Sequence, residues 1–335
     1  MNLTLADILA ARQTLAGEIV RTPLLPSPFM SGLTGVPFHL KMETMQPTGA
    51  FKLRGAMNAA RKVSAETHTL VCCSTGNHGR AVAFAARSLG LRAVICMSSL
   101  VPQTKIDAIK ALGAEIRIVG TSQDAALADC QLLAGEQGFT EISPFDDPHV
   151  IAGQGTVGLE ILEDLPGLQT LLIPLSGGGL AAGAALAAKS INPAIRIFGL
   201  TMDRGAAMKA SLDAGKPVEV REVESLADSL GGGIGLNNKL SFHMCRALLD
   251  AVVLVTEEEI RRAMQVLYHE EGHVAEGAGV VGIAACLAGK LPDFDGPVAT
   301  ILSGRNVDMT RFTSIVTGQD VDLGDYHLRG TSHAA

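Results

Sequence analysis

The 335-residue sequence has no tryptophan, only two tyrosines, and aromatic side chains at 4% of its positions. Hydrophobic residues nevertheless make up 47% of the chain, so the sequence predicts a large core built from aliphatic side chains. The chain also has no excess of basic charge, because its formal net charge is −7. Nucleic acid is therefore not expected as a partner, since phosphate binding requires a basic surface.

Membrane and metal signals are missing as well. No apolar run reaches the roughly 18–20 residues of a membrane span, and residues 1–7 lack the basic and apolar regions of a signal peptide. The six cysteines show neither zinc-binding nor redox spacing. These absences predict a cytoplasmic protein with reduced, mostly buried thiols, no membrane partner and no metal site.

What the sequence does contain is a regular alternation of predicted strands and helices. A first series predicts strands at 70–73, 93–97 and 115–119 and helices at 79–89, 104–112 and 122–136. A second series predicts strands at 170–175, 196–200, 251–255 and 297–302 and helices at 180–191, 257–271 and from 279. Such βα units indicate mostly parallel sheets covered by helices on both faces.

Four short segments carry residue types suited to chemistry. The first, Thr48-Gly49-Ala50-Phe51-Lys52-Leu53-Arg54-Gly55, places a lysine between glycines where a loop meets a helix. An amine nucleophile must lose its proton, and a helix N-terminus or a cationic neighbour such as Arg54 lowers its pKa. A lone lysine is more often a solvated surface residue, so this segment needs the support of the others.

Two further segments each follow a predicted strand and precede a predicted helix. In Ser74-Thr75-Gly76-Asn77-His78-Gly79, exposed backbone N–H groups suit a carboxylate or a phosphate, although a simple helix cap is as common. In Ser176-Gly177-Gly178-Gly179-Leu180, three glycines let the backbone approach a phosphate. This segment lacks the P-loop lysine and the dinucleotide spacing, which favours a phosphate without a nucleotide over a close-packing turn.

The fourth segment, Leu302-Ser303-Gly304-Arg305-Asn306-Val307-Asp308, ends the last predicted strand. Open α/β sheets bind ligands at the carboxyl ends of their strands, although Ser303 could equally cap a turn. The glycine-rich stretch 215–238 is long enough to predict a functional loop.

In this order, the four segments resemble the fold-type II pyridoxal-phosphate family, which includes threonine and serine dehydratases and serine racemase. The resemblance extends from residue 21 to residue 308. It implies an α/β fold like that of the tryptophan synthase β-subunit, with two open, twisted, mostly parallel sheets and helices on both faces. Together with the grouping of βα units, it predicts a large cofactor-binding domain (1–64 and 146–323), a small substrate-loop domain (65–145) and a tail (324–335).

The resemblance also assigns roles to single residues, with pyridoxal 5'-phosphate as the cofactor. Lys52 matches the Schiff-base lysine, which also acts as the base. Phe51 matches the residue against the cofactor ring, Asn77 the partner of the ring hydroxyl, and Ser303 the partner of the ring nitrogen. The phosphate loop corresponds to Ser176, Gly177, Gly178, Gly179 and Leu180.

Other motif residues are matched to the substrate. Ser74, Thr75, Gly76 and His78 correspond to the loop that holds the substrate carboxylate. Thr75 stands where the racemase has a serine that acts as a second base, so it is a second candidate catalytic residue. Arg305 stands where relatives often carry glycine, and an arginine there could read an acidic or polar group on the substrate. It could also be a surface ion-pairing residue.

The activity implied is the elimination of water from a β-hydroxy amino acid, giving a keto acid and ammonia. Segments 74–80 and 225–235 look closest to the hydroxyectoine-utilisation branch, so the expected substrate is threonine, serine or a hydroxylated diamino acid derived from hydroxyectoine. The acidic metal ligand of relatives is replaced by Thr201 and Met202, so a metal is absent or is bound differently, with Asp203. An amino-acid racemase or epimerase and a non-catalytic binding relative are the alternatives, and a homodimer is expected.

Overall fold

The computed structural model describes residues 3–74, 76–99, 101, 103–121 and 123–333. Its helices are α1 (Leu5–Thr14), α2 (Pro28–Thr34), α3 (Lys52–Ala60), α4 (Asn77–Leu89), α5 (Gln103–Lys110), α6 (Gln123–Glu136), α7 (Pro148–Asp164), α8 (Gly179–Ile191), α9 (Ala207–Ala214), α10 (Ser241–Leu248), α11 (Glu257–Glu271), α12 (Val281–Leu287) and α13 (Met309–Val316). Its strands are β1 (Leu24–Pro26), β2 (Phe38–Lys41), β3 (Thr69–Cys73), β4 (Arg92–Met97), β5 (Glu115–Ile118), β6 (Thr140–Glu141), β7 (Thr170–Pro174), β8 (Arg196–Met202), β9 (Ala251–Val255), β10 (Val298–Ile301), β11 (Val321–Leu323) and β12 (Tyr326–Leu328). Short 3₁₀ turns occupy Glu43–Met45, Asp228–Leu230 and Gly277–Gly279.

The larger sheet has six strands in the order β1-β2-β10-β7-β8-β9. Only β1 runs antiparallel to its neighbour, and the other pairs are parallel. Successive residues of a strand face opposite sides of the sheet. Leu171 and Ile173 accordingly pack against α7, α8 and α10, whereas Leu172 packs with residues of α11, α12 and α13. Both faces are therefore covered, as the sequence predicted.

The smaller sheet has four parallel strands in the order β5-β4-β3-β6. Leu70 and Cys72 face α3, α4 and α5, while Val71 and Cys73 face α6. This sheet lies inside the range 65–145 expected for the small domain, and the domain boundaries themselves stay a prediction. The segment expected to be a tail contains β12, which pairs antiparallel with β11.

Three strands of the two sheets end at the motif segments. The segment at 74–79 follows β3, the glycine segment at 176–180 follows β7, and the segment at 302–308 follows β10. Carboxyl ends of parallel strands are the usual ligand side of such sheets. Within the described ranges, no helix combines the length and the apolar character that crossing a membrane would require.

Candidate active site

Lys52 is the first residue of α3 and follows an irregular loop. Two contacts hold this loop against the end of β10. The N–H of Phe51 donates to the Ser303 carbonyl at 3.0 Å, and Ala50 forms an isolated β-bridge with Gly304. The first and fourth motifs, which are far apart in sequence, therefore meet in the structure.

The Lys52 amine lies in a largely dehydrated setting. Its Nζ donates to the Pro144 carbonyl at 2.7 Å. Burial lowers the pKa of Lys52 to about 8, against a smaller opposite effect of the Cys72 thiol. An amine with such a pKa can hold or release a proton near neutrality, which is what a general base requires.

Arg54 does not cause this depression, although its position in the sequence suggested that it might be a cationic neighbour. Its guanidinium is fully buried and donates to the carboxylates of Glu43 at 2.8 Å and Glu160 at 2.7 Å. Lys41, also fully buried in β2, donates to Glu160 at 2.6 Å. Two cations thus balance two carboxylates, and this buried cluster ties α3 to β2 and α7.

The glycine segment at 176–180 is tightly enclosed. Gly178 has φ +89°, a conformation that favours glycine, and a Cβ there would lie 2.8 Å from Met208. A Cβ on Gly177 would overlap the Phe145 ring, and one on Gly179 would lie 2.9 Å from the Phe145 Cα. The first N–H groups of α8 have no partner within the helix, so this backbone suits a phosphate group.

Asp146 reaches the glycine segment through a neighbouring loop. Its carboxylate accepts from the backbone N–H groups of Lys239 at 2.7 Å, Leu240 at 2.8 Å and Ser241 at 2.9 Å. The Ser241 hydroxyl in turn donates to the Gly177 carbonyl at 2.7 Å. This set of contacts fixes the outer side of the glycine segment.

Asn77 is the centre of a hydrogen-bonded chain at the start of α4. Only 8% of it is exposed, and its Nδ2 donates to Glu276 at 2.8 Å. Its Oδ1 accepts from Asn306 Nδ2 at 2.6 Å, and the same amide donates to the Thr48 carbonyl at 2.8 Å. Asn306 also accepts from Arg80 Nη1 at 2.8 Å. The second motif is thereby joined to the first and the fourth.

His78 is buried behind this chain. Its Nε2 donates to the Ile142 carbonyl at 2.7 Å, and its Nδ1 has no hydrogen-bond partner within the described part of the chain. Burial, aided by the positive charge of Lys52, lowers the pKa of His78 to about 3. The imidazole is therefore neutral at neutral pH, and its expected contact with the substrate stays a prediction.

Ser74, Gly76 and Arg305, which are also matched to the substrate, are all at least partly exposed. Ser74 is half-buried and accepts from the N–H of Gly76, where a Cβ would meet no atom within 4 Å. Thr75 lies outside the described residues. Arg305 is exposed, and its backbone N–H donates to the Gly49 carbonyl at 2.9 Å. The substrate roles of these residues remain predictions.

Sequence reasoning missed several residues that the structure brings to the site. Asn306 stood within the fourth motif, and Arg80 directly follows the second. Glu276 and Asp146 lie outside the four motif segments. Each of these residues is a polar side chain near a glycine or a proline of a turn. Such residues are too frequent in sequences to identify a functional site without other evidence.

No metal site is apparent in the described part of the chain. No three side chains among its histidines, cysteines, aspartates and glutamates converge as a metal-binding group. Thr201, which replaces the acidic ligand of relatives, is buried in β8. The expected absence of a metal, and the alternative site with Asp203, stay predictions.

The residues do fit pyridoxal phosphate. Lys52 offers a half-buried amine for covalent attachment, and its pKa near 8 leaves part of it neutral. The segment at 176–180 offers a helix N-terminus from which side chains are excluded by close contacts. Ser303 offers a hydroxyl that is only 3% exposed, held next to the Lys52 loop.

Comparison with known proteins agrees with this fit. The model of the family described as pyridoxal-phosphate dependent enzyme matches residues 15–304. A Sinorhizobium fredii protein provisionally named threonine dehydratase is 53% identical over 319 residues, which cover 95% of this chain and 96% of that protein. The L-threonine ammonia-lyase of Thermotoga maritima is 39% identical over 316 residues, which cover 94% of this chain and 78% of that protein.

A solved structure is similar over nearly the whole chain. Maize serine racemase superposes with a TM-score of 0.88 at 32% identity, covering 92% of this chain and 95% of that one. The matched family residues contain the first three motifs, the start of the fourth as far as Gly304, and the strands of both the larger and the smaller sheet. The chain therefore belongs to the fold-type II pyridoxal-phosphate-dependent threonine/serine dehydratase family, and its cofactor is pyridoxal phosphate.

Proposed function

We propose that this enzyme is an ammonia-lyase that removes water from threonine or serine and releases a keto acid and ammonia. The observation that carries the proposal is the half-buried Lys52 amine, which has a pKa of about 8 and whose loop is hydrogen-bonded to Ser303. The names of the relatives from Sinorhizobium fredii and Thermotoga maritima support the reaction class.

Lys52 is the residue to which we assign the proton transfer. Pyridoxal phosphate, when bound, withdraws electrons from the Cα of an attached amino acid. The neutral Lys52 Nζ then takes the Cα proton as a general base. Burial favours the neutral amine before this transfer, and the Pro144 carbonyl at 2.7 Å can accept a hydrogen bond from the ammonium that results.

We assign to Ser303 the preference of the enzyme for eliminating water over other reactions at Cα. Its hydroxyl is neutral, whereas a carboxylate at the same place would hold a positive charge on the ring nitrogen. Weaker electron withdrawal by the bound ring would favour loss of the β-hydroxyl as water, and the Cα proton taken up by Lys52 would balance the proton that this water carries away. Addition of one water then releases the keto acid and ammonia, so the net reaction conserves the atoms of the substrate.

We further propose a hydroxylated diamino acid derived from hydroxyectoine as a candidate substrate. Its support is the sequence of segments 74–80 and 225–235. In the structure these segments approach each other, since Asn77 Nδ2 lies 3.4 Å from the Ser229 hydroxyl. A panel of β-hydroxy amino acids that includes N-acylated diamino acids tests this choice, and threonine outperforming every diamino acid would reject it.

We also propose that the enzyme is a cytoplasmic homodimer. The family resemblance supports the dimer, and the six free thiols fit a reducing compartment. Sedimentation of the holoenzyme tests the assembly, and cell fractionation tests the compartment.

The activity itself is tested by following keto acid and ammonia after adding L-threonine or L-serine to the holoenzyme. We expect turnover by the wild-type enzyme and by Lys62→Ala, which removes an exposed lysine near the end of α3. Lys52→Ala should lose turnover and the visible absorption of the covalently bound cofactor. A wild-type enzyme that produces no keto acid from any β-hydroxy amino acid would reject the proposal.

An amino-acid racemase or epimerase is the second candidate. The similarity to maize serine racemase favours it, with the TM-score of 0.88. Chiral analysis of the recovered substrate separates the two reactions. Inverted amino acid without keto acid would replace the lyase proposal by this one.

A further inference from the structure

Arg80 is a half-buried cation next to the residues that frame the cofactor. It lies three residues after Asn77, so the two side chains share one face of α4. Its Nη1 donates to Asn306 at 2.8 Å, and Asn306 donates to Asn77 at 2.6 Å. The guanidinium is therefore one side chain away from Asn77.

The guanidinium of Arg80 makes fewer hydrogen bonds than it has N–H donors. A guanidinium has five N–H donors, yet Arg80 makes one hydrogen bond, to a neutral amide, and no ion pair within the described residues. Arg54, by contrast, donates to two carboxylates. Burial lowers the pKa of Arg80, with only the charge of Glu276 acting in the other direction. A partly dehydrated cation in this state favours an anionic ligand.

The surroundings leave space for such a ligand. A Cβ on Gly76, in the turn before α4, would meet no atom within 4 Å. Ser229, which lies across from Asn77, is exposed. The anion therefore need not displace a packed side chain to approach this end of α4.

We propose that Arg80 binds a carboxylate of the amino-acid substrate, and this inference rests on the proposed function. The carboxylate is either the one on Cα or a second one on the substrate side chain. Arg80 takes the role that the sequence suggested for Arg305, because Arg305 is exposed and its hydrogen bonds within the described residues are backbone contacts to Gly49 and Val307.

Calorimetric titration of the holoenzyme tests the proposal without turnover. The three probes are butyrate, which has the carbon chain of threonine, succinate, which adds a second carboxylate, and butyramide, which has none. In Arg80→Gln we expect affinity for a carboxylate probe to fall about 10- to 100-fold. Arg80→Lys should recover part of it. Arg87→Gln, which removes an exposed arginine from the same helix, should match the wild type.

The pattern of losses identifies the carboxylate. Equal weakening of butyrate and succinate assigns Arg80 to the Cα carboxylate, and weakening of succinate alone assigns it to a side-chain carboxylate. Unchanged affinity in Arg80→Gln, an equal loss for butyramide, or no carboxylate binding by the wild type would overturn the proposal. If Arg80 binds carboxylates selectively but the enzyme forms no keto acid, the lyase proposal is rejected and the inference about Arg80 stands.

Discussion

A methyl group at position 177 has no room, because a Cβ there overlaps the Phe145 ring. We expect Gly177→Ala to weaken cofactor binding, since overpacking costs about 1–3 kcal/mol, or about 5- to 150-fold in affinity. Titration of the apoenzyme with pyridoxal phosphate measures this. Gly167→Ala, where a Cβ meets nothing within 4 Å, should bind normally. Adding Phe145→Ala should restore part of the affinity, and failure to do so would contradict the steric explanation.

The buried imidazole of His78 should make the protein sensitive to acid. Its pKa is about 3 in the folded protein and 6.5 ordinarily, so the unfolded chain takes up this proton at the higher pH. The free energy of unfolding should therefore fall between pH 6.5 and 3, by up to about 1.4 kcal/mol per pH unit from this residue. Urea unfolding at several pH values measures the slope.

A matched pair of variants isolates the contribution of His78. His78→Gln keeps a donor for the Ile142 carbonyl but cannot titrate, so its stability should fall less steeply with acid. His243→Gln removes an exposed histidine and serves as the control. Equal slopes for the wild type and His78→Gln would show that the imidazole does not control acid stability.

Helix α3 depends on the buried charges beneath it. Arg54→Met leaves Glu43 and Glu160 with Lys41 as their only buried cation, and an uncompensated buried charge costs about 3–5 kcal/mol. Urea unfolding of the apoenzyme should show a loss of that size. Arg92→Met breaks the exposed pair with Glu115 and should cost less than about 1 kcal/mol. Similar losses in both variants would contradict a special role for the cluster.

Individual strands and helices show what sequence patterns can and cannot predict. Strand β9 and helix α11 have the predicted bounds, because their apolar periodicity is local and Thr256 forms a capping box before α11. Strand β2 was not predicted, since Lys41 ends it and the carboxylate that pairs with this buried charge, Glu160, lies far along the chain. Arg54 was misinterpreted for the same reason.

Part of the candidate site could likewise be predicted from the sequence, and part could not. Motif order indicated that Lys52, the glycine segment and Ser303 belong together, and the structure brings Lys52 and Ser303 into one place through Phe51. The chain from Arg80 through Asn306 to Asn77 depends on side-chain contacts between distant segments. Nothing in local propensity or periodicity encodes such contacts, so they appear only in three dimensions.

Asp146 joins distant parts of the molecule around the cofactor site. It stands just after the small sheet, and its carboxylate holds the loop whose Ser241 fixes Gly177. In Asp146→Asn, an amide NH₂ must face a backbone N–H, so the free energy of unfolding should fall by about 1–3 kcal/mol. Cofactor affinity should fall as well, because the Gly177 carbonyl loses its support.

The adjacent Asp147 provides the control that separates stability from cofactor binding. Its carboxylate caps α7 by accepting from the N–H groups of His149 at 2.8 Å and Val150 at 2.9 Å, and not from the loop that contains Ser241. Asp147→Ala should therefore destabilise the protein by about 1 kcal/mol and leave cofactor affinity unchanged. Urea unfolding of the apoenzyme and cofactor titration measure the two quantities separately. If both variants lose stability but neither loses affinity for the cofactor, Asp146 stabilises the fold only. The glycine segment then keeps its shape without the Asp146 carboxylate.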